Sequence, residues 1–299
     1  MTLTILIEQG FNGFQFGMML FLMAAGVTLV FGTMRVINLA HGSFFMLGGY
    51  FLVGGLTWTK SYLLAIPIAL FATALVAVLV EMIVLRPLYR RGELEQVLAT
   101  FGLALFFDEA VTVIWGRDPI PLSVPPWLTG SVQLFPGSHY PVYRLVITAV
   151  ATAMGIALYF LIVRTRIGAL IRAGRDNREI VAALGINVHL LYTLVFALSA
   201  ALAALAGIMM GPLLSVEPGA GDPILILALV VVVIGGLGSV WGAFIGALMV
   251  GLFDTMSRVL IPMVLQTNAT SALIGMAVYV LMAAVLVLSP GGLFSPHRG

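Results

Sequence analysis

The 299-residue chain has no cysteine, a single lysine (Lys60) and little charge of either sign: 14 Lys plus Arg against 12 Asp plus Glu, or 9% of the residues. The missing cysteine excludes disulfides, thiol catalysis and Cys-based zinc sites, and carries no information on redox compartment. A soluble domain carries about 25% charge. This chain lacks the polar cover such a domain needs for its exposed area. That argues against a soluble enzyme, a nucleic-acid-binding module and a disordered protein. The four histidines (His41, His139, His189, His297) are scattered, so no metal-ligand pair stands at helical spacing. Neither His-Glu-x-x-His nor Gly-x-Ser-x-Gly occurs. Lys60 precedes Ser61, but Thr59 stands where a phosphate-binding loop needs glycine, so the chain has no Walker A loop. It reads as no enzyme. If ATP drives it, another subunit binds the nucleotide.

What is present is apolar: 61% hydrophobic residues, with a mean hydropathy of +1.14. An all-α polytopic membrane protein follows, as one transmembrane domain over 1–299, with room for roughly eight to ten spans of about 20 residues. The apolar runs place nine segments at about 12–33, 38–57, 63–85, 97–115, 143–163, 189–211, 222–238, 241–260 and 270–288, giving eight or nine crossings. Those at 38–57 and 222–238 read as broken or re-entrant, near 38–43 and 234–239. The 33 glycines suit close helix packing in lipid. Met1 to Gln9 has Glu8 but no Lys or Arg, unlike a secretory signal, so the first span is expected to be retained.

The arginines set the orientation. Loops 86–96 and 164–188 hold eight of the 14 positive residues, and Arg35 and Arg298 join that side if there are nine crossings. Lys60, Arg117, Arg144 and Arg258 fall on the other. The positive-inside rule then puts the N-terminus outside and the C-terminus in the cytoplasm of a bacterial-type inner membrane. The outer loop 116–142 is rich in proline and flanked by Trp115, Trp127, Tyr140 and Tyr143. It reads either as a lid resting on the headgroups or as a surface for an external protein.

Four features stand out. In loop 164–188, Asp176 has capping-box spacing to Glu179, Ile180, Val181, Ala183 and Leu184 form an apolar ridge, and Gly185 stands at a C′ position. A short amphipathic helix there fits either a partner's groove or an anionic lipid surface. In Ile37 to Phe45, polar Asn38, His41 and Ser43 interrupt an apolar stretch beside Gly42, which suggests a broken helix facing a cavity or another helix. Gly235, Gly236 and Gly238 permit a break, and Gly238, Gly242 and Gly246 follow small-xxx-small spacing, as do Gly13/Gly17 and Gly207/Gly211. Asp108 and Glu109 lie about eleven residues into their span, near mid-membrane at about 1.5 Å per residue, or in the outer headgroups if the span ends early. Asp254 and Arg258 form an i,i+4 ion pair.

Three of these segments together resemble a known family. Ile37-Asn38-Leu39-Ala40-His41-Gly42-Ser43, the loop end Ala183-Leu184-Gly185-Ile186-Asn187, and Ile234-Gly235-Gly236-Leu237-Gly238-Ser239 resemble the permeases of branched-chain amino acid (Liv-type) ABC importers, in order and spacing from about Gly13 to about Leu288. The resemblance implies a second permease, homologous and non-identical, two ABC ATPases that bind ATP and Mg, and a periplasmic substrate-binding protein. It implies alternating access for branched-chain amino acids or related small carboxylates. Loop 164–188 then resembles the coupling helix, with Arg175, Asp176, Arg178, Glu179, Ile180, Ala183, Leu184 and Gly185 at the ATPase. The pathway would draw on Asn38, His41, Gly42, Ser43, Asp108, Glu109, Gly235, Gly236 and Gly238, with no metal and no cofactor in this chain. The competing reading is an ion-coupled secondary transporter that uses Asp108 or Glu109 as its relay.

Overall fold

The computed structural model describes residues 2–89, 91–135, 138–176, 178–183, 185–264 and 270–294; at 2–4, 134, 135, 138, 175, 176 and 178–180 it describes the backbone alone. Seven helices among the described residues are long and apolar enough to cross a membrane. They are α1 (Thr2–Met34), α3 (Tyr62–Val80) continuing through a π turn at Glu81–Leu85 into α4 (Arg86–Leu88), α5 (Glu93–Trp115), α6 (Val142–Arg164), α9 (Val188–Leu214), α11 (Val240–Val264) and α12 (Thr270–Leu288). Two further helices complete the bundle, the 19-residue α2 (His41–Thr59) and the shorter α10 (Gly221–Gly235). Outside it lie α7 (Arg166–Asp176), α8 (Arg178–Ala183) and a small hairpin of β1 (Ser131–Phe135) and β2 (Ser138–Pro141).

The helix ends follow local chemistry. Asn187 caps α9, its Oδ1 accepting from Leu190 N–H at 3.1 Å. Lys60 closes α2 in the left-handed region at φ 53, donating its N–H to Leu56. Glu93 and Glu95 occupy the first turn of α5, where the helix dipole favours negative charge.

Burial separates pillars from periphery. The apolar windows of α1 and α9 are each 78% buried, against 11% for α12, 17% for α6 and 22% for α5. The outer helices present large side chains such as Phe71, Val113 and Val287 on their free faces. In a membrane these meet lipid, where helical hydrogen bonding keeps most of the backbone polar groups paired. Glycines let the pillars approach their neighbours. Gly13 and Gly17 of α1 lie against Leu252, Gly251 and Ala247 of α11, and Gly48 of α2 lies against Ala204 of α9. The Gly13/Gly17 pair is thus a packing face, as its spacing predicts.

Both expected breaks are present, with shifted boundaries. After α1 the chain is non-helical over 35–40, with Val36, Asn38 and Ala40 buried. His41, Gly42 and Ser43 are not part of that break. They form the first turn of α2, because Asn38 Oδ1 takes up the Ala40 N–H and Ser43 N–H bonds back to Ala40. Near the other glycine run, α10 ends at Gly235 and the chain turns over 236–239 into α11, with Gly236 and Gly238 at φ 99 and 81. Leu293 and Phe294 hydrogen-bond to the Ile234 and Gly235 carbonyls, so residue 294 lies at the end of the bundle where α10 finishes. Gly32, near the end of α1, approaches Gly238 at that same end. Residues 2 and 294 therefore lie at opposite ends, as an odd number of crossings requires.

Candidate pathway and coupling surfaces

The start of α2 sits deep in the bundle. His41 Nε2 lies 3.2 Å from the Met23 carbonyl in the middle of α1, and its Nδ1 lies 3.4 Å from Ser199 Oγ of α9. His41 is 1% exposed, so it is a packed core histidine with both nitrogens engaged. Gly42 meets Gly221, the first residue of α10. A Cβ on Gly42 would come 2.7 Å from the Gly221 carbonyl oxygen, and one on Gly221 would overlap the Gly42 carbonyl. The helices α2 and α10 thus begin back to back inside the bundle. Around them Thr28 Oγ1, Asn38 Nδ2 and Ser43 Oγ are buried without a hydrogen-bond partner. Such groups are costly unless a transient ligand or water satisfies them.

Above this junction lies a cavity of about 180 Å³ between α2, α9 and α10, lined by Phe45, Met46, Gly49, Met210, Leu214, Val216, Glu217 and Ile224 among others. The segment between α9 and α10 forms its rim. Ile120, from the loop after α5, pairs with Val216 through bonds of 2.8 and 3.0 Å and fixes that rim to the loop.

Asp108 and Glu109 do not lie at the middle of their helix. α5 begins at Glu93, so Asp108 is about 22 Å along it and about 10 Å from its end at Trp115. Asp108 is half-buried and Glu109 exposed. Asp108 is within electrostatic reach of Asp222 and of the Gly219 N–H. Neither is among the residues that line the cavity. Gly235, Gly236 and Gly238 lie at the other end of α10 and do not join it. Gly235 packs against Gly242, and Gly292 against Gly236.

The loop 164–188 holds two helices. α7, over Arg166–Asp176, lies upstream of the expected short helix, with Ile167, Leu170 and Ile171 at one-face spacing. Ile171 is 7% and Val181 of α8 2% exposed, while Ala183 is exposed. Gly185 takes the C′ position at φ +80, with Gly185 N–H bonding to Ala182 and Ile186 N–H to Val181, a Schellman stop. The side chains of Arg175, Asp176, Arg178, Glu179 and Ile180 lie outside the described residues, as does Leu184, so the capping box is outside them too.

One cluster has no counterpart in the sequence reading. Glu81, in the π turn, is 0% exposed. Its carboxylate accepts from Arg86 at 3.1 Å, Tyr89 at 2.7 Å and Thr193 of α9 at 2.7 Å. Arg86 also donates to Thr193 at 2.9 Å, and Tyr89 meets Tyr192 edge to face at 5.3 Å. This ties the end of α3 to the first turns of α9, just after loop 164–188. A lone Glu at the end of an apolar run carries no signal of this in sequence.

The family model described as the branched-chain amino acid transport system permease component matches residues 10–288. The branched-chain amino acid permease LivH of Salmonella typhimurium is 27% identical, over 94% of this chain and 95% of its own. BraD, the corresponding permease of Pseudomonas aeruginosa, is 29% identical over 83% and 85%. A probable LivH permease of Methanocaldococcus jannaschii is 28% identical over 92% and 88%. No solved structure matches the chain. A multi-pass helical membrane protein whose helices are matched along nearly their whole course, this chain belongs to the branched-chain amino acid transport-system permease family.

Proposed function

We propose that this chain is the membrane-spanning permease of an ATP-driven importer for branched-chain amino acids or related small carboxylates. The observation that carries the reading is the family match over 10–288, in a chain that has no Walker A loop of its own. ATP and Mg would be bound by two partner ABC ATPases, and a periplasmic binding protein would deliver the solute. The second permease would be a homologous, non-identical chain.

The N-terminus lies outside and the C-terminus in the cytoplasm. What supports this is that Arg35 and the loops 86–96 and 164–188 fall at the bundle end where α1 finishes and α9 begins. On this orientation the cavity opens outward, Asp108 and Glu109 lie toward the outer end of α5, and Asn38, His41, Gly42 and Ser43 mark the inner limit of the path. Gly235, Gly236 and Gly238 serve as a compact turn. The segment from Arg175, Asp176, Arg178, Glu179 and Ile180 through Ala183, Leu184 and Gly185 docks in the ATPase groove. A push on α8 enters α9 across the Asn187 cap, and α9 is one of the two buried pillars.

The complex of permeases, ATPases and binding protein, reconstituted in proteoliposomes, should hydrolyse ATP faster when liganded binding protein is added. Leu184→Asp or Gly185→Asp should leave ATP hydrolysis running while uptake is lost. Uptake by this chain alone, driven by an ion gradient and unaffected by ATP depletion, would overturn the reading in favour of an ion-coupled carrier.

A further inference from the structure

The Glu81 cluster is one end of a longer line of hydrogen bonds. Thr193 lies in the second turn of α9, just past the Asn187 cap that joins α9 to loop 164–188. Its hydroxyl donates to Glu81 at 2.7 Å and accepts from Arg86 at 2.9 Å. Both bonds between α9 and the end of α3 therefore meet at one oxygen. Glu81 also holds Tyr89, the residue after α4, at 2.7 Å. The line then passes to α5. Gln96 Nε2 donates to the carbonyls of Leu88 and Arg91, at 3.0 and 3.2 Å, on either side of Tyr89. One turn further, Thr100 Oγ1 accepts the Leu39 N–H at 3.2 Å. Leu39 belongs to the non-helical break before α2, where Asn38 sets the start of that helix.

Burial singles these groups out. Glu81 and Thr100 are 0% exposed and Gln96 is 8% exposed, on helices that otherwise turn large apolar side chains outward. Gln96 and Thr100 stand four positions apart, on one face of α5. A carboxylate inside a membrane protein is costly, and a buried ion pair adds little stability over apolar packing of the same size. Its best-attested use is to fix register. Register is what the aliphatic contacts leave loose, because hydrophobic burial is non-directional and a hydrogen bond is directional. The π turn that Glu81 opens is a local departure of a kind frequent at functional sites.

We propose that Thr193, Glu81, Gln96 and Thr100 form a hydrogen-bonded relay that carries movement of the first turns of α9 into the break before α2. The inference rests on the importer reading and adds a second route to it. α9 also meets the first turn of α2 directly, through Ser199 and His41. The relay instead reaches the backbone at Leu39, ahead of that turn, by way of α4 and α5. Its members are positioning residues that touch no solute. Cutting the line lets the ATPases turn over while the break fails to follow α9.

The full importer, reconstituted in proteoliposomes with its ATPases and binding protein, gives the ratio of ATP hydrolysed to leucine taken up. Thr193→Val keeps the shape of the side chain and cuts both bonds to α9. Gln96→Met cuts the line between α4 and α5 and leaves the partners of Glu81 in place. Each should raise the ratio about tenfold, toward the low end of the coupling found between two sites in one protein. Thr193→Ser, which keeps the hydroxyl, should restore the wild-type ratio. A side chain that only supports the fold lowers ATP hydrolysis and uptake together, with the amount of assembled complex, and leaves the ratio unchanged. An unchanged ratio in either variant that assembles overturns the relay, and so does a ratio raised equally by Thr193→Ser and Thr193→Val. Where Thr193→Val does not assemble, Gln96→Met decides alone. A wild-type complex without ATP-dependent leucine uptake overturns the importer reading, and this inference with it.

Discussion

The carboxylate of Glu81, in the π turn after α3, accepts a 2.7 Å hydrogen bond from the hydroxyl of Thr193 in α9, 112 positions along the chain. With Arg86 and Tyr89 on its other lone pairs, the buried carboxylate has no free direction. Removing its cation should cost more than removing one neutral donor. Arg86→Met strands a buried charge and should destabilise the protein by about 3–5 kcal/mol. Thr193→Val removes one charge-assisted bond and should cost about 1–3 kcal/mol. Thermal unfolding in detergent ranks the two. Equal midpoints would show that the carboxylate does not depend on Arg86.

Glycine substitutions should divide by what stands opposite. A Cβ at Gly207 would overlap the Phe45 carbonyl, and one at Gly221 the Gly42 carbonyl, so Gly207→Ala and Gly221→Ala must push backbones apart. Gly54 and Gly275 have open space, and alanine there should be neutral or stabilising, since alanine is about 1 kcal/mol better than glycine within a helix. Folded yield by size-exclusion chromatography distinguishes them. Normal yield of both first variants would contradict the packing described.

At Gly185 the constraint is torsional. Nothing lies within 4 Å of a Cβ there, but φ is +80. Gly185→Ala should cost roughly 1–2 kcal/mol, the strain of a left-handed residue with a side chain. That cost should fall on α8 alone. Amide exchange should quicken in 178–183 and stay unchanged in α9. Equal acceleration in both would show that the two helices open together.

Asp254 and Arg258 are bonded at 2.8 and 3.1 Å, but unequally buried: 7% of the Asp254 side chain is exposed and 60% of the Arg258 side chain. Breaking the pair should therefore be asymmetric. Arg258→Met leaves a buried carboxylate, whereas Asp254→Asn leaves an arginine already largely outside. Unfolding midpoints should fall further for the first. The reverse order would place the arginine's environment, not the carboxylate's, in control.

Much of this architecture is legible in single stretches of sequence. The apolar runs locate most of the long helices to within about four residues, while α1 begins ten residues before the run at 12–33. Asn38 and His41 mark the break before α2, and Gly185 marks the end of α8. Sequence resemblance in three short segments leads to the family that the match over 10–288 establishes. What is not legible is either non-local or disguised. The contact of Gly42 with Gly221 joins two glycines with no shared motif. Glu217 reads as an ordinary loop acid until the fold places it in the cavity wall. α7 is masked by its arginines, which draw attention to topology and away from the spacing of Ile167, Leu170 and Ile171.

The back-to-back placement of Gly42 and Gly221 also has a genetic consequence. At most packed contacts an enlarged side chain is compensated by a smaller one opposite. Here both positions already carry the smallest residue, so neither can yield to growth at the other. A suppressor screen begun from Gly221→Ala should return reversion, or changes that shift a whole helix, and should never return a substitution at position 42. That pair is a dead end for stepwise exchange, and any drift in this protein must pass around it.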